Sequence, residues 1–234
     1  MKKVSLLIPA YNEEETIPLL YNELNKVIDK ISGYEFEILF VNDGSSDNTL
    51  NILRDLRKRD SRVNYISFSR NFGKETAMAA GFDYVTGDAT VILDADLQDP
   101  PELIEEMIFY WEKGYDDVYA KRRSREGETW LKKFTSAAFY KLLRKMTKIP
   151  IQEDTGDFRL LDRRAIESLK KLREKQRYTK GMFSWIGFNK KEILFDRKPR
   201  AAGKTKWNYL KLFNLALEGV TSFTTSPLRI STIL

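Results

Sequence analysis

Asp94-Ala95-Asp96 directly follows a short apolar run, residues 89–93. Two carboxylates so close together repel each other, and they are costly to desolvate at the end of a buried strand. A divalent cation relieves both costs. Asp94, Asp96 and the amide oxygen of Gln98 are hard oxygen donors. They suit Mg²⁺ or Mn²⁺, with substrate phosphates completing the shell. The plainer alternative is an aspartate capping the next helix, but Pro100 places that helix later. Asp43, within Val41-Asn42-Asp43-Gly44-Ser45, also follows an apolar run. Its carboxylate can accept from a nucleobase N–H or a ribose hydroxyl, or it can close an Asx-turn before Gly44. In Pro9-Ala10-Tyr11-Asn12-Glu13, Tyr11 offers a ring for stacking on a base, while Glu13 equally suits the positive end of a helix dipole. Asp154 and Asp157 flank Gly156, a spacing that reads as turn chemistry, although Asp157 is also a candidate base.

Whole classes of chemistry are excluded. The chain has no Cys and no His. Thiolate nucleophiles, Ser-His-Asp triads and zinc held by Cys or His are therefore ruled out. Neither a G-x-G-x-x-G fingerprint nor a Walker A loop occurs, so an anionic ligand must be held by metal and side chains.

Strands and helices alternate through the first half. Residues 4–8, 37–42, 63–68 and 89–93 read as buried strands. Helices are expected over residues 16–31, 50–59 (capped by Ser45 or Ser46), 75–84 and from Pro100-Pro101 to Trp111, proline favouring the first helical position. Continuous apolar strands alternating with helices mean an open, mostly parallel α/β sheet covered on both faces. Ligands of such sheets bind beyond the carboxyl ends of the strands, and Tyr11, Asp43 and Asp94–Asp96 all fall there. Further on, a helix from Arg163 to about Lys175 and a strand over residues 188–195 are expected. An amphipathic helix over residues 207–223 would put Tyr209, Leu210, Phe213, Leu217 and Phe223 on one arc, packed on the core or facing lipid.

The formal net charge of +6 hides a division. Residues 1–120 carry 12 Lys+Arg against 23 Asp+Glu, a net −11, and residues 121–234 carry 28 against 11, a net +17. A basic half predicts an anionic partner: phosphates, nucleic acid or an anionic membrane. Arg122, Arg123, Arg200, Lys204 and Lys206 are candidate phosphate contacts, though each taken singly also reads as surface charge. No apolar stretch reaches the ~20 residues of a membrane span.

Taken together, these motifs resemble a known family. Ser5-x-x-Ile8-Pro9-Ala10-Tyr11-Asn12-Glu13, Val41–Ser45, Ser69-Arg70-Asn71-Phe72-Gly73-Lys74, Asp94–Glu102, Asp154–Arg159, Tyr178–Gly181 and Gly203–Trp207 are similar to family 2 inverting glycosyltransferases of the GT-A fold. Within that family the resemblance is to polyprenyl-phosphate glycosyltransferases of the dolichol-phosphate mannose synthase type, and most of all to the bacterial undecaprenyl-phosphate glucosyltransferases. It implies a GT-A catalytic domain over residues 1–206, with a nucleotide-binding half (1–120) and an acceptor half (121–206). An amphipathic juxtamembrane segment over 207–234 would follow, the transmembrane part being absent from the chain. It also implies roles by position. Pro9, Ala10, Tyr11, Glu13, Asp43 and Ala95 would contact the nucleotide. Asp94, Asp96 and Gln98 would hold the metal and diphosphate. Arg122, Arg200 and Lys206 would contact phosphates, and Asp157 would be the base, with Asp94 and Asp96 in the catalytic set.

The implied reaction is a single inverting transfer from a nucleotide-sugar to a polyprenyl phosphate, at the cytoplasmic face of an anionic membrane. No Gln-x-x-Arg-Trp motif of processive synthases is present. UDP-glucose is favoured over GDP-mannose and UDP-N-acetylglucosamine because Lys121–Arg125 and Asp154–Arg159 resemble the bacterial glucosyltransferases most. A phosphate monoester has a second pKa near ~6, so the acceptor arrives largely ionised and the lack of His is no obstacle. The competing classes are a nucleic-acid-binding protein, which leaves Asp94 and Asp96 unexplained, and a nucleotide-sugar-binding protein without turnover. No nucleic-acid partner is expected, and a homo-oligomer is compatible with the reading.

Overall fold

The structure is a computed structural model that describes residues 1–123, 155–174 and 177–196. Its strands are β1 (Lys2–Ala10), β2 (Tyr34–Asn42), β3 (Val63–Ser67), β4 (Ala89–Ile92), β5 (Asp117–Arg122), β6 (Thr155–Asp162) and β7 (Lys190–Phe195). The helices are α1 (Ile17–Ile28), α2 (Thr49–Arg59), α3 (Lys74–Tyr84), α4 (Leu103–Glu112), α5 (Arg163–Lys171) and α6 (Thr179–Trp185). The strands form one sheet in the order β3-β2-β1-β4-β6-β5-β7.

Pairing is parallel between β1 and β2, β1 and β4, β2 and β3, and β5 and β7. Only β6 runs against its neighbours, β4 and β5. This reversal places the site. The carboxyl ends of β1, β2, β4 and β5 share one edge of the sheet, and the beginning of β6 meets them there.

Side chains alternate across the sheet, so each strand feeds two cores. Val4, Leu6 and Ile8 of β1 pack with Leu20 and Leu24 of α1, Leu53 of α2 and Met107 of α4. Leu7 faces the other way, toward Met78 and Phe82 of α3, Ile166 and Leu169 of α5, and Phe183 of α6. All of these are fully buried. At ~25 cal/mol per Å² of apolar area, this burial on both faces is the main force holding the layers together.

The expected open, mostly parallel α/β sheet with helices on both faces is the observed one. Three local readings are corrected. Pro100 and Pro101 precede α4 instead of opening it; their carbonyls accept from Leu103 N at 3.1 Å and Ile104 N at 3.0 Å, a turn ahead of the helix. Asp47 rather than Ser45 or Ser46 accepts from the Thr49 amide at the start of α2, at 3.0 Å. Gly156 and Asp157 lie inside β6, not in a turn. That strand escapes a sequence reading because one of its inner faces is charged: Asp157 and Arg159 share a face with Leu161, while Phe158 and Leu160 enter the opposite core. Period-two alternation is present, but its polar positions are not solvent-facing. Asp154 and the segment 207–234, with its expected amphipathic helix, lie outside the described residues.

Candidate active site

The nucleoside-side residues gather where β1 and β2 end. Pro9 and Ala10 are the last two residues of β1, and Asp43 N donates to Ala10 O at 2.8 Å, tying the two strand ends together. Beyond them, two loops are stitched side by side. Asn12 takes a left-handed φ of 51°, which a short polar side chain tolerates best. Its amide donates to Ser45 Oγ at 2.9 Å, and its Oδ1 accepts from Ser46 N at 2.8 Å. Glu13 N donates to Thr49 Oγ1 at 2.9 Å, and Glu13 Oε2 accepts from Thr16 Oγ1 at 2.7 Å. Glu13 thus helps shape the entry to α1. Tyr11 is half-buried on the same lip.

Asp43 does not close an Asx-turn before Gly44; Asn42 takes its place, its Oδ1 accepting from Ser45 N at 3.2 Å. The Asp43 carboxylate reaches across to the loop after β3, where Phe72 N donates to Oδ1 at 2.7 Å and Gly73 N to Oδ2 at 2.9 Å. Burial pushes the carboxyl up and the two amides work against it; the net direction is upward. Two glycines make this approach feasible. A Cβ on Gly44 would lie 2.1 Å from the carbonyl carbon of Arg70. Gly73, with φ +96°, turns the chain so that its amide meets Asp43 and α3 begins at the next residue.

That next residue is Lys74. Its ammonium lies 2.5 Å from Asp94 Oδ1 and 2.5 Å from Asp157 Oδ2. Asp94 follows β4 and Asp157 lies near the start of β6, so the antiparallel strand delivers one carboxylate and the parallel strand the other. Oδ1 of Asp157 is buried and accepts no hydrogen bond among the described residues. Burial opposes the charge of Asp157, but Lys74, Lys180 and Arg159 outweigh it and hold the carboxyl well below the usual range. Lys180, the second residue of α6, is shifted downward by burial, against the attraction of Asp157.

The Asp94–Asp99 turn is acidic and bent. Leu97 has a φ of 58°, a conformation that costs a branched residue roughly 1–2 kcal/mol. It lets Gln98 N donate to Asp96 Oδ1 at 3.1 Å. Ala95 and Asp96 are buried. Asp99 Oδ2 accepts from Asp94 N at 3.3 Å. Burial and the nearby Asp94 and Asp96 push Asp99 up to about 7, opposed by Lys74. The surplus of acid is the observation a metal would answer. Among the described residues no three His, Cys, Asp or Glu side chains form a cation site by themselves. The donors fit a Mg²⁺ or Mn²⁺ ion carried in part by substrate phosphates, as such ions usually are.

Arg122 ends β5 at the same edge, and its charge lowers Lys180. Arg200 and Lys206 lie outside the described residues. Arg159, two residues beyond Asp157, is fully buried, with its Nη1 3.0 Å from Asp117 Oδ2 and its guanidinium 3.8 Å from the Phe183 ring centroid. Lys74, Asp99, Arg159 and Lys180 were not singled out from the sequence. All four lie in motifs that carry the resemblance, but their types alone read as solvated charge.

A three-layer α/β sheet with an acidic edge over its strand ends is a GT-A glycosyltransferase architecture. The chain belongs to glycosyl transferase family 2, whose model matches residues 5–170. It is 46% identical over 230 residues to the bactoprenol glucosyl transferase of Shigella phage SfX, covering 98% of this chain and 75% of that one. It is equally similar to the prophage bactoprenol glucosyl transferase homolog of Escherichia coli (strain K12), 46% over 230 residues, with 98% and 75% covered. The fold is shared with glucosyl-3-phosphoglycerate synthase from Mycobacterium tuberculosis, solved with Mn²⁺, UDP and glucosyl-3-phosphoglycerate. The TM-score is 0.58 at 16% identity, over 92% of this chain and 76% of that one. The protein is an enzyme of the glycosyltransferase class.

Proposed function

We propose that this glycosyltransferase moves one glucose from UDP-glucose to a polyprenyl phosphate at the surface of a membrane, with inversion at the anomeric carbon. The observation that carries the reading is the meeting of Asp94 and Asp157 with Lys74 at one sheet edge, with Asp96 in the adjoining turn and Asp43 at the neighbouring strand end. The relatives named as bactoprenol glucosyl transferases support the acceptor and the sugar. A GT-A neighbour crystallised with Mn²⁺ and UDP supports a divalent cation and a nucleotide donor.

Residues 1–120 would hold the donor. Pro9, Ala10, Tyr11, Asp43 and Ala95 line the nucleoside side, with Glu13 shaping the lip. Asp94, Asp96 and Gln98 would carry Mg²⁺ or Mn²⁺, which when bound neutralises the diphosphate. Arg122, Arg200 and Lys206 would meet phosphates from the basic half. In the transfer, an acceptor phosphate oxygen bonds to the anomeric carbon as that carbon's bond to the diphosphate oxygen breaks, and UDP leaves with the electron pair. The acceptor is largely dianionic near neutral pH, so little proton removal is required. Asp157, held strongly acidic by Lys74 and Lys180, is a feeble proton acceptor and serves to orient a substrate.

Among the described residues no helix is long and apolar enough to cross a membrane. Docking would instead use the Lys/Arg surplus of residues 121–234, each such charge contributing roughly 1 kcal/mol near an anionic leaflet. Co-sedimentation with vesicles should then fall with salt and with removal of anionic lipid; binding indifferent to both removes the membrane role. The donor and acceptor are tested by product formation on undecaprenyl phosphate with UDP-glucose, UDP-N-acetylglucosamine and GDP-mannose. UDP-glucose should give the highest kcat/KM, and no product with any donor would overturn the reading.

A further inference from the structure

Lys74 stands in a place that secondary structure does not favour. It is the first residue of α3, and a cation at a helix N-terminus works against the helix dipole. Nothing about the helix calls for a lysine there. What holds it is the two site carboxylates, each 2.5 Å from its ammonium. The backbone that aims it is fixed by the nucleoside-side aspartate, since Asp43 holds the amides of Phe72 and Gly73, the two residues before it.

The two ion pairs are unequal. The Asp94 side chain is 33% exposed and that of Asp157 only 11%. An ion pair open to water is weak, and one withdrawn from it is costly to break. Lys74 therefore gives up Asp94 more readily than Asp157. Asp94 is also one of the two carboxylates that would hold a divalent cation, and a cation held there would compete with the ammonium for its charge.

We infer that Lys74 is the resident counter-ion of the site, a positioning residue that pairs with Asp94 and Asp157 in the empty enzyme and yields Asp94 to the cation arriving with the donor diphosphate. The inference rests on the metal reading above. It has a consequence beyond charge balance. The bare ion must displace Lys74 unaided, while an ion carried by a nucleotide brings phosphate oxygens that can receive the released ammonium. Metal binding is thereby made conditional on the donor, and Lys74 remains beside Asp157 as the phosphates assemble.

The test is Mn²⁺ binding to the full chain by calorimetry, with and without UDP, in wild type, Lys74→Met, Lys74→Arg and Lys180→Met. Lys180 adds an equal charge to the cluster but makes no ion pair with Asp94 among the described residues. Without UDP, Lys74→Met should bind Mn²⁺ about tenfold more tightly than wild type, whereas Lys74→Arg should stay within about twofold and Lys180→Met within about threefold. UDP should strengthen Mn²⁺ binding in wild type far more than in Lys74→Met. If Lys74→Met does not fold by circular dichroism, Lys74→Gln is read in its place. Unchanged or weaker Mn²⁺ binding in the folded variant overturns the proposal, as does equal tightening in Lys180→Met, which would mean that charge alone acts. If wild type binds Mn²⁺ only with UDP and Lys74→Met behaves alike, the metal reading stands and the counter-ion role falls. No Mn²⁺ binding to wild type even with UDP removes both.

Discussion

A buried carboxylate at one end of the sheet and the acidic cluster at the other are built differently. At the edge where β1 begins, Glu37 is fully partnered. Oε1 accepts from Thr86 N at 2.6 Å and also from Ser5 Oγ, and Oε2 accepts from Thr86 Oγ1 at 2.7 Å and pairs with Lys3 at 2.8 Å. Burial raises the Glu37 carboxyl, but these partners together draw it below its usual value. At the opposite edge, Asp157 keeps one buried oxygen unbonded, Asp99 is pushed up to about 7 and Glu75 up to about 8. A satisfied polar network rigidifies a fold; a cluster that mixes raised carboxyls with an unbonded buried oxygen is poised for a ligand. The contrast separates Glu37, whose charge the fold favours, from Asp99 and Glu75, whose charge it opposes.

The largest effect expected from this contrast is on turnover. Asp96→Asn should lower sugar transfer by about 10³-fold or more, the scale of losing a principal electrostatic contact in the transition state. Asp157→Asn should retain measurable transfer, because an already ionised acceptor asks little of a base. A radiolabelled transfer assay reads both, and equal losses would contradict the orienting role of Asp157. Next comes Gly44→Ala. The new Cβ meets the Arg70 backbone in a left-handed conformation. It should cost about 2 kcal/mol or more and loosen the loop that Asp43 holds. Calorimetry should show weaker UDP binding with Lys74 chemically intact; unaltered UDP affinity would detach that loop from the donor site.

How much of this could be seen in the chain follows the same division. Asp94, Asp96 and Asp43 were legible because each ends a continuous apolar run, and a parallel sheet brings such ends to one edge. Asp157 was legible as a candidate but not in its setting. Its strand hides Asp157 and Arg159 on an inner face, so polarity signalled a turn where the chain makes a central strand. Lys74 and Lys180 were illegible as site residues for a related reason. A lysine on a helix is normally solvated, and only the tertiary arrangement brings Lys74 against Asp157 and the charge of Lys180 near it. Asn12 and Ser45, more than 30 residues apart, join two loops by hydrogen bonds that no local pattern announces.

The fully partnered carboxylate is tested by Glu37→Gln. It should lower stability by about 1–3 kcal/mol at neutral pH, since a buried charge-assisted network loses its acceptor, while kcat/KM per folded molecule stays unchanged. The folded-state value of Glu37 is lowered, so its contribution is fully present above the ordinary value of 4.5. It is lost as the pH falls through the lower folded value. The stability gap between wild type and variant, measured by urea unfolding, should therefore narrow below about pH 4. A gap that stays constant down to pH 2 would mean that Glu37 acts by shape rather than charge.

The smallest effect runs in the opposite direction. Burial first, and Asp157 next, push Glu75 up to about 8, while its Oε2 accepts from Thr179 N at 3.1 Å at the start of α6. The folded protein therefore holds a proton on Glu75 that the unfolded chain releases near 4.5. Between those values the folded state binds more protons than the unfolded one, so stability declines as the pH rises from about 4.5 to about 8. Glu75→Gln keeps an acceptor for Thr179 and cannot ionise. Relative to wild type, it should gain about 1 kcal/mol between pH 5 and pH 9 in urea unfolding without nucleotide or metal. Because the Asp157 charge supplies part of the shift, Asp157→Asn should shrink that gain. A gain unaffected by Asp157→Asn would show that burial acts without its neighbour. No gain at all would place Glu75 with Glu37, among the carboxylates whose charge the fold welcomes.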